Sequence, residues 1–354
     1  MTCASAPSRR VLLISPPWLL PRLPGLAIAT LRPLLERNGL ACDDLHASTL
    51  YPYTTTLRHI MEAFSGYFFV PHLYPDVDVP AFIETALERH RRELNLGGTR
   101  LDDRDASVEQ LGGDADVFRT ALRDGIRDAG ICLDRIVAIA TQDIYDIIGF
   151  SATFEIQLPA TLALARRIRK LRPDIRIMLG GASCFEEQGE GLCTSFADFD
   201  AICHTEGEGV IVGLVRALRG EYPLSSVPGI VFRDAQGQVR KTPSPPVPRD
   251  LDQHPIPVFD RFLDQFSRSE WRHEAPARLL FETSRGCWWG QKHLCTFCGL
   301  NQEGLGFRAK SPERAYEEIS TLYTRYPQAN FIQSIDHILP MRYIKEVMPC
   351  LAVL

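Results

Sequence analysis

Three cysteines in one short segment are the residues of this sequence best placed to do chemistry. Cys287, Cys295 and Cys298 are spaced C-x7-C-x2-C, and we call residues 287–298 the cysteine loop. Thiolates this close in a chain can bind one metal centre. Because the loop offers three thiolates rather than four, a [4Fe-4S] cluster bound there would keep one iron open for a small molecule. The spacing therefore predicts an iron–sulfur centre with a reactive corner.

A structural zinc ion is the alternative that the same residues allow. Zinc in structural sites takes four protein ligands. His293 or Cys350 could supply the fourth ligand, but the sequence contains no second C-x2-C pair. The number of available thiolates favours the cluster over zinc.

The composition indicates a globular protein of the cytoplasm. Hydrophobic residues make up 45% of the chain and charged residues 23%, which suits a protein with buried cores. The net charge of -5 does not favour non-specific binding to nucleic acid. No signal peptide or uncharged membrane-spanning stretch is visible, so we expect no membrane partner. Ten cysteines, three of them clustered, indicate a reducing compartment rather than a disulfide framework.

Strands that alternate with helices predict a doubly wound parallel α/β sheet in residues 1–225. Ligands of such sheets bind beyond the carboxyl ends of the strands. Residues 52–140 interrupt the alternation and are predicted to form a largely helical insertion. The predicted strands are 11–15, 41–46, 146–151, 175–179 and 201–204, and the predicted helices are 25–38, 158–171, 185–196 and 208–219.

The remainder of the chain begins with a hairpin and a proline-rich linker, predicted over residues 226–277. A strand at 279–283 then runs directly into the cysteine loop. Ser311 and Pro312 are typical of the N-cap and first turn of a helix. A further strand is predicted at 331–335.

The flanks of the cysteine loop resemble the radical S-adenosylmethionine (SAM) superfamily. An apolar strand precedes the loop, Gly286 stands before the first cysteine, and Phe297 stands before the last. The usual spacing in that superfamily is C-x3-C-x2-C, whereas seven residues fill the first gap here. The longer gap, together with residues 288–292, 298–301 and 307–312, resembles the cobalamin-domain members that mature ribosomally synthesised peptides (RiPPs).

The resemblance implies a chemistry and a set of partners. Residues 278–354 would begin a partial (β/α) barrel, the open iron would bind SAM, and Phe297 would pack near adenine. SAM cleavage would give a 5'-deoxyadenosyl radical that abstracts a hydrogen from a precursor peptide. The electron would come from a flavodoxin or ferredoxin. A plain core aromatic is the alternative role for Phe297.

The N-terminal sheet resembles the cobalamin-binding domain of the same proteins. The matching segments are 146–153, 179–181 and 206–208. Glycines at strand ends let the backbone approach a bulky ligand, and two hydroxyl groups can hydrogen-bond its nucleotide tail. The alternative is a generic flavodoxin-like sheet in which the glycines only make turns. The candidate cobalamin-binding residues are Ser151, Thr153, Gly180, Gly181, Glu206, Gly207 and Glu208.

The sequence departs from the D-x-H-x-x-G motif with which many cobalamin proteins ligate cobalt. The loop after the first strand, residues 15–21, contains no histidine. Asp44-Leu45-His46 imitates the motif, but it follows the second strand, so we interpret it as accidental. The lower axial position of a cobalamin stays unassigned, and so does any catalytic side chain.

The segment from residue 279 to the last residue is much shorter than the roughly 250 residues of a full (β/α)8 barrel. We therefore expect a barrel that is truncated relative to the family. The sequence predicts a cobalamin-dependent radical SAM C-methyltransferase acting on a peptide. The alternatives are a radical SAM epimerase or crosslinking enzyme without cobalamin, and a non-catalytic cobalamin-binding or scaffold protein.

Overall fold

A seven-stranded sheet forms the centre of the molecule, for which a computed structural model describes residues 9–53, 66–96, 115–293, 295–296, 298, 306–329 and 331–354. Strands β1 to β5 are parallel, whereas β6 and β7 are antiparallel additions at one edge. The strand order is β2-β1-β3-β4-β5-β6-β7. The strands are β1 Arg10–Ser15, β2 Cys42–His46, β3 Tyr145–Ser151, β4 Arg176–Gly180, β5 Ala201–Cys203, β6 Ile230–Arg233 and β7 Val239–Lys241. The predicted doubly wound α/β fold is confirmed.

Helices cover both faces of the sheet, which explains why its central strands, such as β1, are rich in consecutive apolar residues. Val11 and Leu13 of β1 face one core, whereas Leu12 and Ile14 face the other. The helices are α1 Leu26–Arg37, α2 Val70–Leu73, α3 Val79–Leu96, α4 Ala115–Ala140, α5 Leu158–Leu171, α6 Glu187–Ser195, α7 Ile211–Leu218, α8 Asp260–Arg268, α9 Pro312–Arg325, α10 Tyr343–Glu346 and α11 Met348–Leu351.

The insertion between β2 and β3 is helical in its described part, as predicted. Helices α2, α3 and α4 contribute to the core on one face of the sheet. Residues 54–65 and 97–114 of the predicted insertion lie outside the described residues. The longest helix, α4, has 26 residues but carries charged side chains along its length. Across the described ranges, no helix combines the length and apolarity needed to cross a membrane.

Helix α8 lies inside the segment that the sequence predicted as linker. Its Phe262 and Phe266, one turn apart, are buried against the core. The Gln265 side chain donates to the backbone carbonyl of Asp44 at 2.8 Å and accepts from the backbone amide of His46 at 2.9 Å. Helix α8 therefore covers the free edge of β2, an edge that would otherwise invite pairing with another chain.

The chain after the linker folds around a short parallel strand pair. Strand β8, Arg278–Phe281, pairs in parallel with β11, Phe331–Ser334. Between them, β9 Ser284–Arg285 and β10 Arg308–Ala309 form an antiparallel ladder. Helix α9 connects this ladder to β11, and the predicted Ser311 cap is present because its side chain accepts from the Arg314 amide at 3.1 Å. Barrel truncation stays a prediction.

Truncating Phe262 tests whether α8 is part of the fold rather than a linker. Phe262 is fully buried, so Phe262→Ala should lower the free energy of unfolding by about 3–5 kcal/mol, because a large core cavity replaces the ring. Urea denaturation followed by circular dichroism measures the change. The matched control is Phe154→Ala, since Phe154 is 53% exposed, and it should change stability by less than about 0.5 kcal/mol. If the two substitutions changed the free energy of unfolding equally, α8 would not be part of the folded core.

Candidate functional site

A cavity of about 340 Å³ opens where the parallel strands end. Its floor is apolar and includes Leu13 of β1, Met178 of β4 and Ile28 of α1. The cavity is where a doubly wound sheet binds its ligands, beyond the carboxyl ends of the strands. The structure brings the seven predicted sheet residues together on its wall, namely Ser151, Thr153, Gly180, Gly181, Glu206, Gly207 and Glu208.

Two glycines set the shape of this edge. A Cβ atom on Gly149 would lie 2.7 Å from Cε of Met178 and 2.8 Å from Cδ2 of Leu13, so a side chain there would crowd the cavity floor. Gly181 has a φ of +103°, and its Cβ would lie 2.3 Å from the carbonyl oxygen of Ala152. Only glycine tolerates that conformation and contact. The turn after β4 can therefore pack against the turn after β3 and leave a depression between the strands.

Two hydroxyl groups line the depression without partners. No hydrogen bond joins the Ser151 or Thr153 hydroxyl to another residue within the described part of the chain. Ser151 ends strand β3, and the turn after it is held in place, because the Thr153 amide donates to Oε1 of Gln157 at 2.9 Å and Nε2 of Gln157 donates to the Pro16 carbonyl at 2.6 Å. Both hydroxyls can therefore donate to a ligand from a fixed position.

The opposite wall of the cavity comes from the chain after the linker. Glu282, Arg285, Gly286, Arg308 and His337 line it. Gly286 has a φ of +77° and immediately precedes Cys287. The cavity therefore lies between the sheet and the base of the cysteine loop.

Ion pairs connect the two walls. Arg285 contacts Glu206 at 3.0 Å, Glu208 at 2.5 Å and Glu282 at 2.8 Å. Arg308 makes a bidentate ion pair with Glu206, in which Nη1 of Arg308 donates to Oε2 of Glu206 at 3.1 Å and Nη2 donates to Oε1. Burial disfavours the charged form of Glu208, but the positive charge of Arg285 outweighs that effect and lowers the pKa of Glu208 to about 2. The carboxylates predicted to bind a cofactor are thus already engaged by arginines.

The three loop cysteines are half-buried. The amide of Gly290 donates to Sγ of Cys287 at 3.4 Å, and the amide of Cys298 donates to the Cys295 carbonyl at 3.0 Å. Phe297 lies outside the described residues. In the part of the chain that is described, no three His, Cys, Asp or Glu side chains lie close enough together to hold a metal ion. Cluster ligation by these cysteines stays a prediction.

Asp44 and His46 do not reach the cavity. His46 is 2% exposed. Its Nδ1 accepts from the Gly25 amide at 2.9 Å, and its Nε2 lies 3.2 Å from Asp44. With both ring nitrogens engaged inside the core, this histidine has a structural role, in agreement with the interpretation of the motif as accidental.

The arginines and the histidine of the second wall were not predicted from the sequence. His337 is exposed and follows Asp336, whose carboxylate accepts from the Thr283 and Ser284 amides, both at 2.7 Å. Asp336 thus ties the end of β11 to the end of β8. The position of Arg285 and Arg308 on either side of the cysteine loop was a visible signal, but their partners in the sheet domain, Glu206 and Glu208, are distant in sequence.

Residues 97–215 match the family model described as the B12 binding domain. This range contains β3, β4 and β5, whose carboxyl ends form much of the cavity. Its residues 97–114 lie outside the described part of the structure. The match supports cobalamin as the ligand predicted for the sheet.

Two curated relatives each align with about half of this chain. An uncharacterized methyltransferase, PH0819 of Pyrococcus horikoshii, is 29% identical over 185 residues, which are 51% of this chain and 37% of the relative. The hopanoid C-3 methylase of Methylococcus capsulatus is 27% identical over 181 residues, 49% of this chain and 32% of the relative. The chain therefore spans about a third of the length of these relatives.

A solved structure extends the likeness over nearly the whole fold. The radical S-adenosylmethionine methyltransferase TsrM from Kitasatospora setae, with cobalamin and a [4Fe-4S] cluster bound, superposes with a TM-score of 0.54 at 15% identity. The superposition covers 98% of this chain and 52% of TsrM. The chain therefore has a segment that matches the B12 binding domain, within a fold similar to that of this solved structure.

Proposed function

We propose that the chain is a cobalamin-dependent radical SAM enzyme that methylates carbon in a ribosomally synthesised peptide. The observation that carries this proposal is the shared cavity. One wall of the cavity is the ligand-binding edge of a B12-type sheet, and the other ends at Gly286, next to the first loop cysteine. A corrinoid bound at the sheet and a cluster bound in the loop would thus face the same space.

The residues of the sheet suit a corrinoid. A bound cobalamin supplies a methyl group that can be transferred. The apolar floor and Gly149 provide a slot for a flat ring system, and Gly180 and Gly181 permit close approach of the backbone. The Ser151 and Thr153 hydroxyls would donate hydrogen bonds to polar groups of the nucleotide tail.

The donor set of the cysteine loop suits an iron–sulfur cluster. A [4Fe-4S] cluster with one open iron supplies a binding site for SAM and the electron that cleaves it. Cys287, Cys295 and Cys298 would hold it as thiolates, and Phe297 would pack against the adenine of SAM. The protein's part is to bind, orient and exclude water, since the cofactors carry the hard chemistry.

The peptide substrate rests on the resemblance of residues 288–292, 298–301 and 307–312 to peptide-maturing members of the superfamily. The two relatives described above are named for methyl transfer, and the name of one gives a hopanoid as its substrate, so likeness to these two supports the reaction type rather than the substrate. We expect a flavodoxin or ferredoxin as electron donor and a cytoplasmic location.

Removing one loop cysteine tests the cluster and the reaction together. After anaerobic reconstitution, the parent protein should contain about four irons per chain and release 5'-deoxyadenosine from SAM in the presence of dithionite. Cys298→Ala should lose most of the iron and reduce 5'-deoxyadenosine release at least a hundredfold, because the cluster loses a ligand. Iron analysis and liquid chromatography measure the two quantities.

The control for that experiment is Cys350→Ala, which removes an exposed cysteine outside the loop and should change neither quantity. If the parent protein contained zinc and no iron, the cysteine loop would be a structural zinc site and the cluster proposal would be wrong. A parent that holds its cluster but never cleaves SAM would support the non-catalytic alternative.

Removing the two unpartnered hydroxyls tests the cobalamin site. Ser151→Ala combined with Thr153→Val nearly preserves volume but deletes two donors worth about 1 kcal/mol each. The dissociation constant for hydroxocobalamin, measured by visible titration, should rise roughly 30-fold. Thr194→Val is the matched control, since Thr194 is exposed on α6. Equal affinities of the double variant and the parent would show that cobalamin does not use this edge.

A further inference from the structure

The cysteine loop is closed at its base by a short ladder that carries two arginines. In the β9–β10 ladder, Arg285 stands opposite Arg308, and Ser284 stands opposite Ala309. Residues 286–307, which contain the cysteine loop, connect these two strands. The position of the ladder therefore fixes where the loop begins and ends.

Both arginines reach the same turn of the sheet domain. Arg285 binds Glu206 and Glu208, and Arg308 binds Glu206. These glutamates flank Gly207 in the turn that follows β5, and all three residues line the cavity. A Cβ atom on Gly207 would meet only side-chain carbons of Leu31, at 3.5 Å and beyond. The turn is thus held against α1 on one side and presents its two carboxylates to the ladder on the other.

Burial makes these contacts strong. The Glu206, Glu208 and Arg308 side chains are 11%, 14% and 8% exposed. A buried charge that loses its partner is strongly destabilising, whereas an exposed pair contributes little. Arg308 also donates to the Pro248 carbonyl at 2.8 Å, but a neutral carbonyl does not balance its charge. Among the described carboxylates, Glu206 is the one that binds it.

We propose that the Glu206–Gly207–Glu208 turn is the docking site of the cysteine loop, and that Arg285 and Arg308 are positioning residues that hold the loop over the cofactor cavity. This role goes beyond the cobalamin contact expected for the turn. It rests on the proposed function in one respect, namely that the cavity and the loop serve one reaction. The docking itself is a property of the chain without cofactors.

Hydrogen exchange measured by mass spectrometry on the full chain, without cofactors, tests the docking. The double change Glu206→Gln and Glu208→Gln keeps side-chain size and hydrogen-bonding capacity but removes both charges. Peptides covering residues 284–285 and 308–309 should then exchange at least tenfold faster. Peptides covering β1 should keep the parental rate, which shows that the sheet stays folded. Parental exchange at the ladder in the double variant would overturn the proposal.

The matched control is Glu187→Gln with Glu190→Gln, which removes two exposed carboxylates at the start of α6 and should leave exchange at the ladder unchanged. Arg308→Lys is a second, milder variant. It keeps the charge but loses the bidentate contact, so the acceleration at the ladder should be intermediate. An Arg308→Lys protein with parental exchange would show that the bidentate geometry does not hold the loop.

A spectroscopic readout separates positioning from simple stabilisation. In the reconstituted parent, electron paramagnetic resonance should show magnetic coupling between cob(II)alamin and the reduced cluster, because the docked ladder holds the base of the loop at the cavity. The Arg308→Lys variant should bind both cofactors with at least twofold weaker coupling, and parental coupling would overturn the proposal. If the parent binds only one cofactor or neither, the proposed function fails, while the exchange experiment still decides the docking.

Discussion

A single guanidinium that contacts three carboxylates connects the two halves of this protein. Arg285 belongs to the strand that enters the cysteine loop, and two of its partners, Glu206 and Glu208, belong to the sheet. Desolvation of an arginine is costly, and only close carboxylates compensate for it. The third partner, Glu282, is mostly buried, and its burial raises its pKa even though Arg285 partly offsets that effect. The cavity lies between the halves, and these ion pairs are among its walls.

The topology of the sheet determines where that cavity can be. The chain runs from β1 to its neighbour β2 and then returns past β1 to β3, so the strand order reverses beside β1. Helix α1 consequently packs on one face, whereas α5 packs on the other. Helices that leave on opposite faces open a crevice beyond the strand ends. Gly149 of β3 lies at this point, where a larger residue would meet Leu13 and Met178.

Much of this architecture was predictable from sequence, because buried parallel strands leave short apolar runs that need no tertiary information. The predicted strands and the helices that flank them were confirmed within a few residues. Helix α8 was missed because the prolines before it indicated a linker, although Phe262 and Phe266 already had helical spacing. The contact between Arg308 and Glu206 joins residues 102 positions apart, and no local pattern encodes such a pair. The sheet side of the cavity was therefore predictable, while the wall that completes it was not.

Burial also sorts the cysteines into two chemical classes. Desolvation raises the pKa of the Cys42, Cys132 and Cys184 thiols far above the ordinary value, so these residues stay protonated and act as small apolar core side chains. Iron binding requires thiolates, and the cysteine loop keeps its three sulfur atoms out of the core. The first of them, Cys287, follows Gly286, which lines the cavity. The partial exposure of these three residues is therefore compatible with the ligand role that their spacing predicts.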